Sequence, residues 1–259
     1  MSLSKLTVNL IKTAPKVRSI AFFSTTKPAT ACGNEAERKK DWKLEVATKC
    51  DNKDIIGFVE RNFYKEDALY RSLICNQKPQ ELRDMFQRSL DHGLSVIARN
   101  ICSNNIVGVS INDRACKDDG CRLAGIGSKS KDCSVKKLFQ TLSVINMDPK
   151  LCNKVCCDEL VNVGSVLSVC EKHWNKGIGL GLIQDSLHLA KNKNFQFAKM
   201  NCTNNNTINM AEKLNMEKVW CAAYKDIMCR GIKPKALPDP PHTNVNVFLM
   251  NLKNLCSKC

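Results

Sequence analysis

The sequence contains few aromatic residues and no long apolar run. Aromatic residues make up 6% of its 259 positions. No stretch approaches the ~18 consecutive apolar residues of a transmembrane helix, so we expect neither a membrane span nor a membrane partner. The densest basic run, Arg38-Lys39-Lys40, has no aromatic side chains interleaved with it. Because proteins that bind single-stranded nucleic acids stack bases on aromatic rings, this absence argues against such a platform.

Histidine is scarce and cysteine is abundant. The chain has 4 histidines and 16 cysteines. Neither Cys152…Cys156-Cys157 nor Cys256-x-x-Cys259 has a second pair at zinc-finger distance, so we predict no metal site. A chain of this length does not need disulfides for stability. We therefore expect reduced thiols, many of them buried as small apolar residues.

The formal net charge is +15, which is the least ordinary feature of the composition. A basic surface suits a polyanionic partner such as nucleic acid, a membrane face or a phosphorylated cosubstrate. The basic residues are dispersed along the chain, which is typical of a solvated surface. A nucleic-acid-binding protein remains an alternative that rests on charge alone, and we expect no nucleic-acid partner.

The first 34 residues contain five basic residues and no acidic residue, and they are rich in Ser and Thr. Apolar positions between Leu3 and Ile11 can form one face of a helix. This composition is typical of a mitochondrial transit peptide. We predict a transit peptide and linker over residues 1–41, a single domain over residues 42–255 and a mitochondrial location. The alternative is a basic tail on a cytoplasmic enzyme.

Strand-like and helix-like periodicities alternate irregularly along the rest of the chain. Strands are predicted at 43–47, 94–99, 106–111, 160–169, 195–200, 218–224 and 245–252, and helices at 55–63, 79–91, 135–145, 177–191 and 208–214. Residues 112–133 are interpreted as a long loop, and Gly164 as a bulge inside its strand. The mixed order predicts an α/β (α+β) domain with one mixed sheet.

A glycine-rich turn leads into the helix predicted at 177–191. Gly177-Ile-Gly179-Leu-Gly181 opens this helix, and Lys176 precedes it. The first turn of a helix has free N–H groups and a partial positive charge, and glycines let a pyrophosphate approach the backbone. No Gly-Lys-Ser/Thr follows, and no acid near residue 201 completes a dinucleotide fingerprint. The alternative is a glycine-rich helix start that binds nothing.

This turn resembles the acetyl-CoA motif R/Q-x-x-G-x-G/A of GNAT acyltransferases, with Trp174, Gly177 and Gly179 at the specified positions. Three further segments resemble the insect arylalkylamine (dopamine-type) N-acetyltransferases. Residues 62–69 resemble F-F-x-K-D-E-P-L, residues 201–216 resemble C-S-S-x-x-S-x-x-x-M-E-K-L-G-F, and residues 241–247 resemble P-H-x-x-I-x-V. Their order and approximate spacing agree from about residue 43 to residue 252.

The resemblance implies a GNAT-like, mostly antiparallel central sheet with a splayed strand and flanking helices. It also implies acetyl-CoA as cosubstrate, no metal, and acetyl transfer to a small, arylalkylamine-like primary amine by direct attack. The implied cosubstrate-binding residues are Leu167, Ser168, Val169, Trp174, Asn175, Lys176, Gly177, Ile178, Gly179 and Leu180. In the family, the strand before the loop splays and pairs with the pantetheine arm, and a backbone N–H near Val169 is the expected oxyanion donor.

The family's catalytic glutamate falls on Asp67, with Glu66 beside it, and its two site serines fall on Thr203 and Thr207. The usual GNAT tyrosine acid falls on Ala211, so that route is absent. A carboxylate in a partly apolar cleft can take a proton from the amine, so Glu66 and Asp67 are both candidate bases. Their alternative is exposed loop charge. Thr203 and Thr207 are candidates to protonate the thiolate leaving group, or to cap the next helix.

Other functions are compatible with this fold. The acceptor could be a polyamine, an amino acid or a protein lysine. The chain could also be an acyl-CoA-binding module without activity. We expect a monomer.

Overall fold

The computed structural model describes residues 40–74, 77–116, 118–147, 160–228 and 238–255. Residues 1–39, which carry nearly all of the predicted transit peptide and linker, lie outside the described residues, as do the cysteine motifs at 152–157 and 256–259. All of the described residues belong to the compact unit that begins at Lys40. Within them, no helix is long and apolar enough to cross a membrane.

One seven-stranded sheet, in the order β1-β2-β3-β4-β5-β7-β6, organises the described chain. The strands are β1 Trp42–Val46, β2 Val96–Asn100, β3 Ile106–Arg114, β4 Leu160–Val169, β5 Phe197–Cys202, β6 Glu217–Ala223 and β7 Asn244–Asn251. Every neighbouring pair is antiparallel except β4 and β5, which are parallel. The predicted mixed, mostly antiparallel sheet is therefore confirmed.

Eight α-helices flank this sheet within the described ranges. They are α1 Asn52–Glu66, α2 Ala68–Leu73, α3 Gln80–Asp91, α4 Asp119–Lys129, α5 Cys133–Asn146, α6 Ile178–Asn192, α7 Asn205–Lys213 and α8 Tyr224–Met228. The predicted loop at 112–133 is wrong, because β3 continues to Arg114 and α4 follows. Three glycines lower the helix propensity of α4, but packing overrides it. A Cβ on Gly127 would stand 2.9 Å from the Cβ of Phe139, so glycine permits the close contact with α5.

The sheet has a separate core on each face. On one face, α1, α2, α3 and α5 bury residues such as Leu69 and Phe139 against Val109. On the other face, α6 buries Ile183 and Leu187 beneath β4, β5 and β7. Alternating side chains of each strand supply the two cores, as the two-residue period of a strand requires.

The two central strands, β4 and β5, part after a short parallel contact. Their register runs only from Leu160↔Phe197 to Asn162↔Lys199. The pairing of β3 with β4 then shifts register, and Gly164 adopts a φ of 62°. This confirms the predicted bulge and the expected splayed strand. The rest of β4 borders a gap, called here the β4–β5 gap, whose far wall is the end of β5.

Candidate active site

The end of β4 presents backbone groups to the β4–β5 gap. The Cys170 N–H donates to the Val107 carbonyl at 2.9 Å, which makes that residue pair a hydrogen-bonded one. In an antiparallel ladder such pairs alternate with pairs that point their backbone groups outward. Val169, which opposes Gly108, belongs to the second kind, and so does Leu167. Their N–H and C=O groups therefore point away from β3 and toward the gap.

The glycine-rich turn ends in an uncapped helix. Gly177 is the N-cap of α6 with a φ of 78°, and no side chain caps the helix. A Cβ built on Gly177 would meet nothing within 4 Å. The first-turn N–H groups of α6, which no helix satisfies internally, are thus approachable by an anion. Ile178 is 1% exposed, so its side chain anchors the helix, and only its backbone can contact a cosubstrate.

Two side chains of the turn already have partners. The indole N–H of Trp174 donates to the Val169 carbonyl at 2.6 Å, although Trp174 remains 49% exposed. The Lys176 ammonium lies 2.8 Å from a carboxylate oxygen of Asp41, and this bond lowers the pKa of Asp41. Exposed ion pairs contribute little to stability, so Lys176 can exchange Asp41 for a phosphate.

The junction between α1 and α2 lies across the β4–β5 gap. Glu66 ends α1, and Asp67 breaks the helix with an extended backbone at φ −72° and ψ 128°. On one side, the Ser168 hydroxyl of β4 donates to Glu66 Oε2 at 3.0 Å. On the other side, the Thr203 hydroxyl, directly after β5, donates to Asp67 Oδ2 at 2.6 Å. Two adjacent acids thus contact the two separating strands.

Asp67 is the N-cap of α2. Its Oδ1 accepts the N–H groups of Leu69 and Tyr70 at 3.0 and 3.1 Å. With the Thr203 hydroxyl on Oδ2, both carboxylate oxygens are occupied, and the residue is 7% exposed. Burial raises the pKa of Asp67, against the lowering effect of these hydrogen bonds. The alternative that Asp67 is exposed loop charge is therefore wrong.

Glu66 is only half-buried, and it is less completely paired. Its Oε2 accepts from Ser168, and within the described residues no hydrogen bond reaches its Oε1. Burial raises the pKa of Glu66, and the nearby Glu171 carboxylate raises it further. A carboxylate with an unengaged oxygen and a raised pKa has the properties of a general base.

The two threonines have different environments. Thr203 is buried, and its carbonyl accepts the Tyr224 hydroxyl at 2.5 Å. The Thr207 hydroxyl donates to the Asn204 carbonyl at 2.8 Å in the first turn of α7. Asn204 caps this helix, and its Oδ1 accepts the Thr207 N–H at 3.0 Å. The alternative role of a threonine as the cap of α7 is wrong, because Asn204 has the extended backbone of an N-cap and its side chain caps the helix.

Sequence reasoning assigned no role to two residues of this site. The first is Tyr224, whose hydroxyl holds the Thr203 carbonyl and which carried no motif signal. The second is His242, whose Nδ1 accepts the Asn205 N–H at 3.2 Å. His242 lies in residues 241–247, which resemble the P-H-x-x-I-x-V segment, and this resemblance was the only sequence feature that pointed to it.

Most cysteines of the described ranges lie at the surface. Only Cys202 is buried, Cys170 is intermediate and the others are exposed, so the expectation of many buried thiols is wrong for this part of the chain. Burial raises the pKa of Cys202 to about 12, which keeps it a neutral thiol. Across the described ranges, no group of His, Cys, Asp and Glu side chains is placed to hold a metal ion.

No protein-family model matches the sequence, and no curated protein matches it in a sequence search. Solved structures do match. A mosquito arylalkylamine N-acetyltransferase-like 5b protein has a TM-score of 0.75 at 18% identity, covering 81% of this chain and 99% of its own. Arylalkylamine N-acetyltransferase 2 from Aedes aegypti has a TM-score of 0.74 at 21% identity, covering 82% and 100%. Drosophila melanogaster polyamine N-acetyltransferase, which forms N-acetylagmatine, has a TM-score of 0.71 at 15% identity, covering 82% and 100%.

These matches identify the fold. The chain has the GNAT fold, with the parted β4 and β5 strands at its centre. Among solved structures it resembles the insect arylalkylamine and polyamine N-acetyltransferases over nearly their whole length.

Proposed function

We propose that this protein is an acetyl-CoA-dependent N-acetyltransferase that acts on a small, arylalkylamine-like primary amine. One observation carries the proposal: Glu66 and Asp67 span the same β4–β5 gap into which the backbone of Leu167 and Val169 points. Structures with the same fold are N-acetyltransferases for arylalkylamines and for agmatine, which supports this chemistry.

The cosubstrate site consists mainly of backbone. Leu167 offers strand-like hydrogen bonds to the amide-containing arm of the cosubstrate, and the first turn of α6 offers N–H groups to its pyrophosphate. Lys176 adds one positive charge beside this turn. Acetyl-CoA supplies the thioester, and the Val169 N–H is oriented to donate to the carbonyl oxygen as negative charge develops there.

We assign the role of base to Glu66 and a positioning role to Asp67. A free alkylamine is mostly protonated at neutral pH, by analogy with lysine at about 10.4, so a base must remove a proton before attack. Glu66 has an oxygen with which to do so, whereas both oxygens of Asp67 are engaged. Asp67 holds the start of α2 and Thr203 in place, and the Thr203 hydroxyl already donates its one proton to Asp67.

A polyamine, amino-acid or protein-lysine acceptor, and an acyl-CoA-binding module without activity, are the competing functions. Glu66 favours an enzyme, because a module that only binds the cosubstrate has no use for a half-buried carboxylate with a raised pKa. A mitochondrial location is a separate proposal that rests on residues 1–34. It predicts that these residues, fused to a fluorescent protein, direct it to mitochondria.

The decisive experiment measures thiol release from acetyl-CoA with tyramine, phenethylamine, agmatine and spermidine, alongside calorimetric binding of CoA. We expect turnover with an arylalkylamine. CoA binding without turnover of any amine would favour the binding module. An absence of CoA binding would refute the proposed function altogether.

A further inference from the structure

Ser168 belongs to a strand segment whose backbone and side chains face different parts of the proposed site. It lies two residues before Cys170 and so belongs to the same hydrogen-bonded class of pairs, with Val109 of β3 as its partner. The backbone of Ser168 is therefore held by β3. Because side chains alternate along a strand, the Ser168 side chain lies on the face that α1 covers, whereas those of Leu167 and Val169 pack on the α6 face.

The surroundings of Glu66 disfavour its negative charge. Glu66 is the last residue of α1, and the C-terminal end of a helix carries a partial negative charge. The Glu171 carboxylate, which follows β4, adds a second repulsion, and burial disfavours the charged form further. Within the described ranges no ion pair includes Glu66. A half-buried carboxylate in such surroundings turns toward water unless a hydrogen-bond donor holds it.

Ser168 supplies this donor. Its hydroxyl donates to Glu66 Oε2 at 3.0 Å, and Ser168 is 2% exposed, so the donor has a fixed position on the strand. The bond engages one oxygen and leaves Oε1 without a hydrogen bond from the residues that the structure describes. The neighbouring acid does not compete for the donor, because Asp67 has its own partner in Thr203.

We propose that Ser168 is a positioning residue that fixes the Glu66 carboxylate relative to the strand that binds the cosubstrate. This inference rests on the proposed function, in which Leu167 binds the cosubstrate arm and the Val169 N–H faces the thioester oxygen. Because Ser168 stands between these two residues, the base and the thioester are held by one short segment of β4. A displacement of a reacting group by about 1 Å can lower the rate by ~10²-fold, so such a fixed spacing affects catalysis directly.

The test is Ser168→Ala. The hydrogen bond from Ser168 favours the charged form of Glu66 and lowers its pKa, so its removal should raise that pKa. We expect kcat to fall by ~10–100-fold, because the base is no longer held in place. We also expect the decrease of kcat/KM at acidic pH to begin at a higher pH than in the wild type. The affinity for CoA, measured by calorimetry, should not change.

Ser165→Ala is the matched control. It removes a hydroxyl from the same strand, but this hydroxyl donates to the Ile111 carbonyl at 2.7 Å and not to Glu66. This variant should keep the kcat and the pH dependence of the wild type. Ser168→Thr retains a hydroxyl and should restore the wild-type pH dependence. If Ser168→Ala does not fold, Ser168→Cys replaces it with the same expectation, because a thiol is a weaker donor.

The pH dependence decides the outcome. If the wild type acetylates an amine and the acidic decrease in Ser168→Ala lies at the wild-type pH, the positioning role is refuted and the acetyltransferase stands. If the wild type turns over no amine, the pKa of Glu66 is measured instead by NMR titration of protein with isotope-labelled glutamate, and Glu66→Gln identifies the signal. A higher pKa in Ser168→Ala than in the wild type and Ser165→Ala supports the role of Ser168, and an equal pKa refutes it.

Discussion

The two sides of the β4–β5 gap are constructed differently. On the β4 side, backbone groups of Leu167 and Val169 face the gap, and Glu66 has one oxygen free of hydrogen bonds among the described residues. On the β5 side, both oxygens of Asp67 and the Thr203 hydroxyl are paired. Groups that react must be incompletely satisfied, whereas groups that hold a geometry must be fully satisfied. Two adjacent acids thus differ in their hydrogen bonding, which is the basis for proposing that Glu66 is the base and Asp67 a positioning residue.

The strongest test of this difference is Glu66→Gln. We expect kcat to fall by ~10²–10⁴-fold, because a general base contributes about that factor. The affinity for CoA, measured by calorimetry, should not change. Asp67→Asn is the matched variant one residue away, and it should retain activity to within about tenfold. A greater loss in Asp67→Asn than in Glu66→Gln would reverse the assignment.

The second test concerns stability. Asp67→Ala removes the cap of α2 and leaves the Thr203 hydroxyl without its acceptor, so the free energy of unfolding should fall by about 1–3 kcal/mol. Urea unfolding at several pH values measures this. Burial raises the pKa of Asp67 in the folded state. The contribution of Asp67 to the free energy of unfolding is therefore greatest at pH values below the pKa of an unfolded aspartate, and it decreases as the pH rises through the folded-state pKa. The loss of unfolding free energy in Asp67→Ala should accordingly be larger at acidic pH. An equal loss in Glu66→Ala would contradict the difference in hydrogen bonding between the two acids.

The third test is the pH profile of kcat/KM. A base must be ionised to act, and burial holds the pKa of Glu66 above its ordinary value. We expect kcat/KM to fall by about tenfold per pH unit below that raised pKa. This decrease at acidic pH should disappear from the residual activity of Glu66→Gln, while the pH dependence due to protonation of the amine substrate remains. If the same decrease of kcat/KM persists in Glu66→Gln, another group is the base.

The smallest expected effect is at Trp174. Its indole N–H occupies the Val169 carbonyl that the cosubstrate arm would otherwise use. Trp174→Phe keeps an aromatic ring and removes this donor, so CoA should bind more tightly by a few-fold, corresponding to about 0.5–1.5 kcal/mol for one hydrogen bond. Calorimetry measures the change. Weaker binding would show that the indole itself holds the cosubstrate.

Elements with strong periodicity could be predicted from the sequence, and so could single residues with unusual backbone requirements. Gly164 is an example, with a φ of 62°. Helix α2 could not be predicted, because six residues are too few to display a helical period. Helix α4 was missed because its glycines lower its propensity, while its stability comes from contacts with α5, which lies elsewhere in the chain.

Glu66 and Asp67 were singled out from the sequence, but which of them keeps an oxygen without a hydrogen bond from the described residues was not predicted. Which of two neighbouring carboxylates turns inward depends on the residue at which α1 ends, and helix boundaries are the least predictable feature of a sequence. The contacts with Ser168 and Thr203 also join residues separated by more than one hundred positions. The same limit applied at α7, where Asn204 rather than a threonine forms the cap.

The brief parallel contact between β4 and β5 also affects how the protein opens. Three register pairs join the half-sheet β1–β4 to the half-sheet β5–β7, whereas β5 and β7 share six. Proteins open in cooperative units whose boundaries fall where few hydrogen bonds cross. In native-state hydrogen exchange, the amides at this seam should therefore exchange at a lower free energy than those inside either half-sheet. The gap that we propose as the substrate site would then also be the boundary between two folding units.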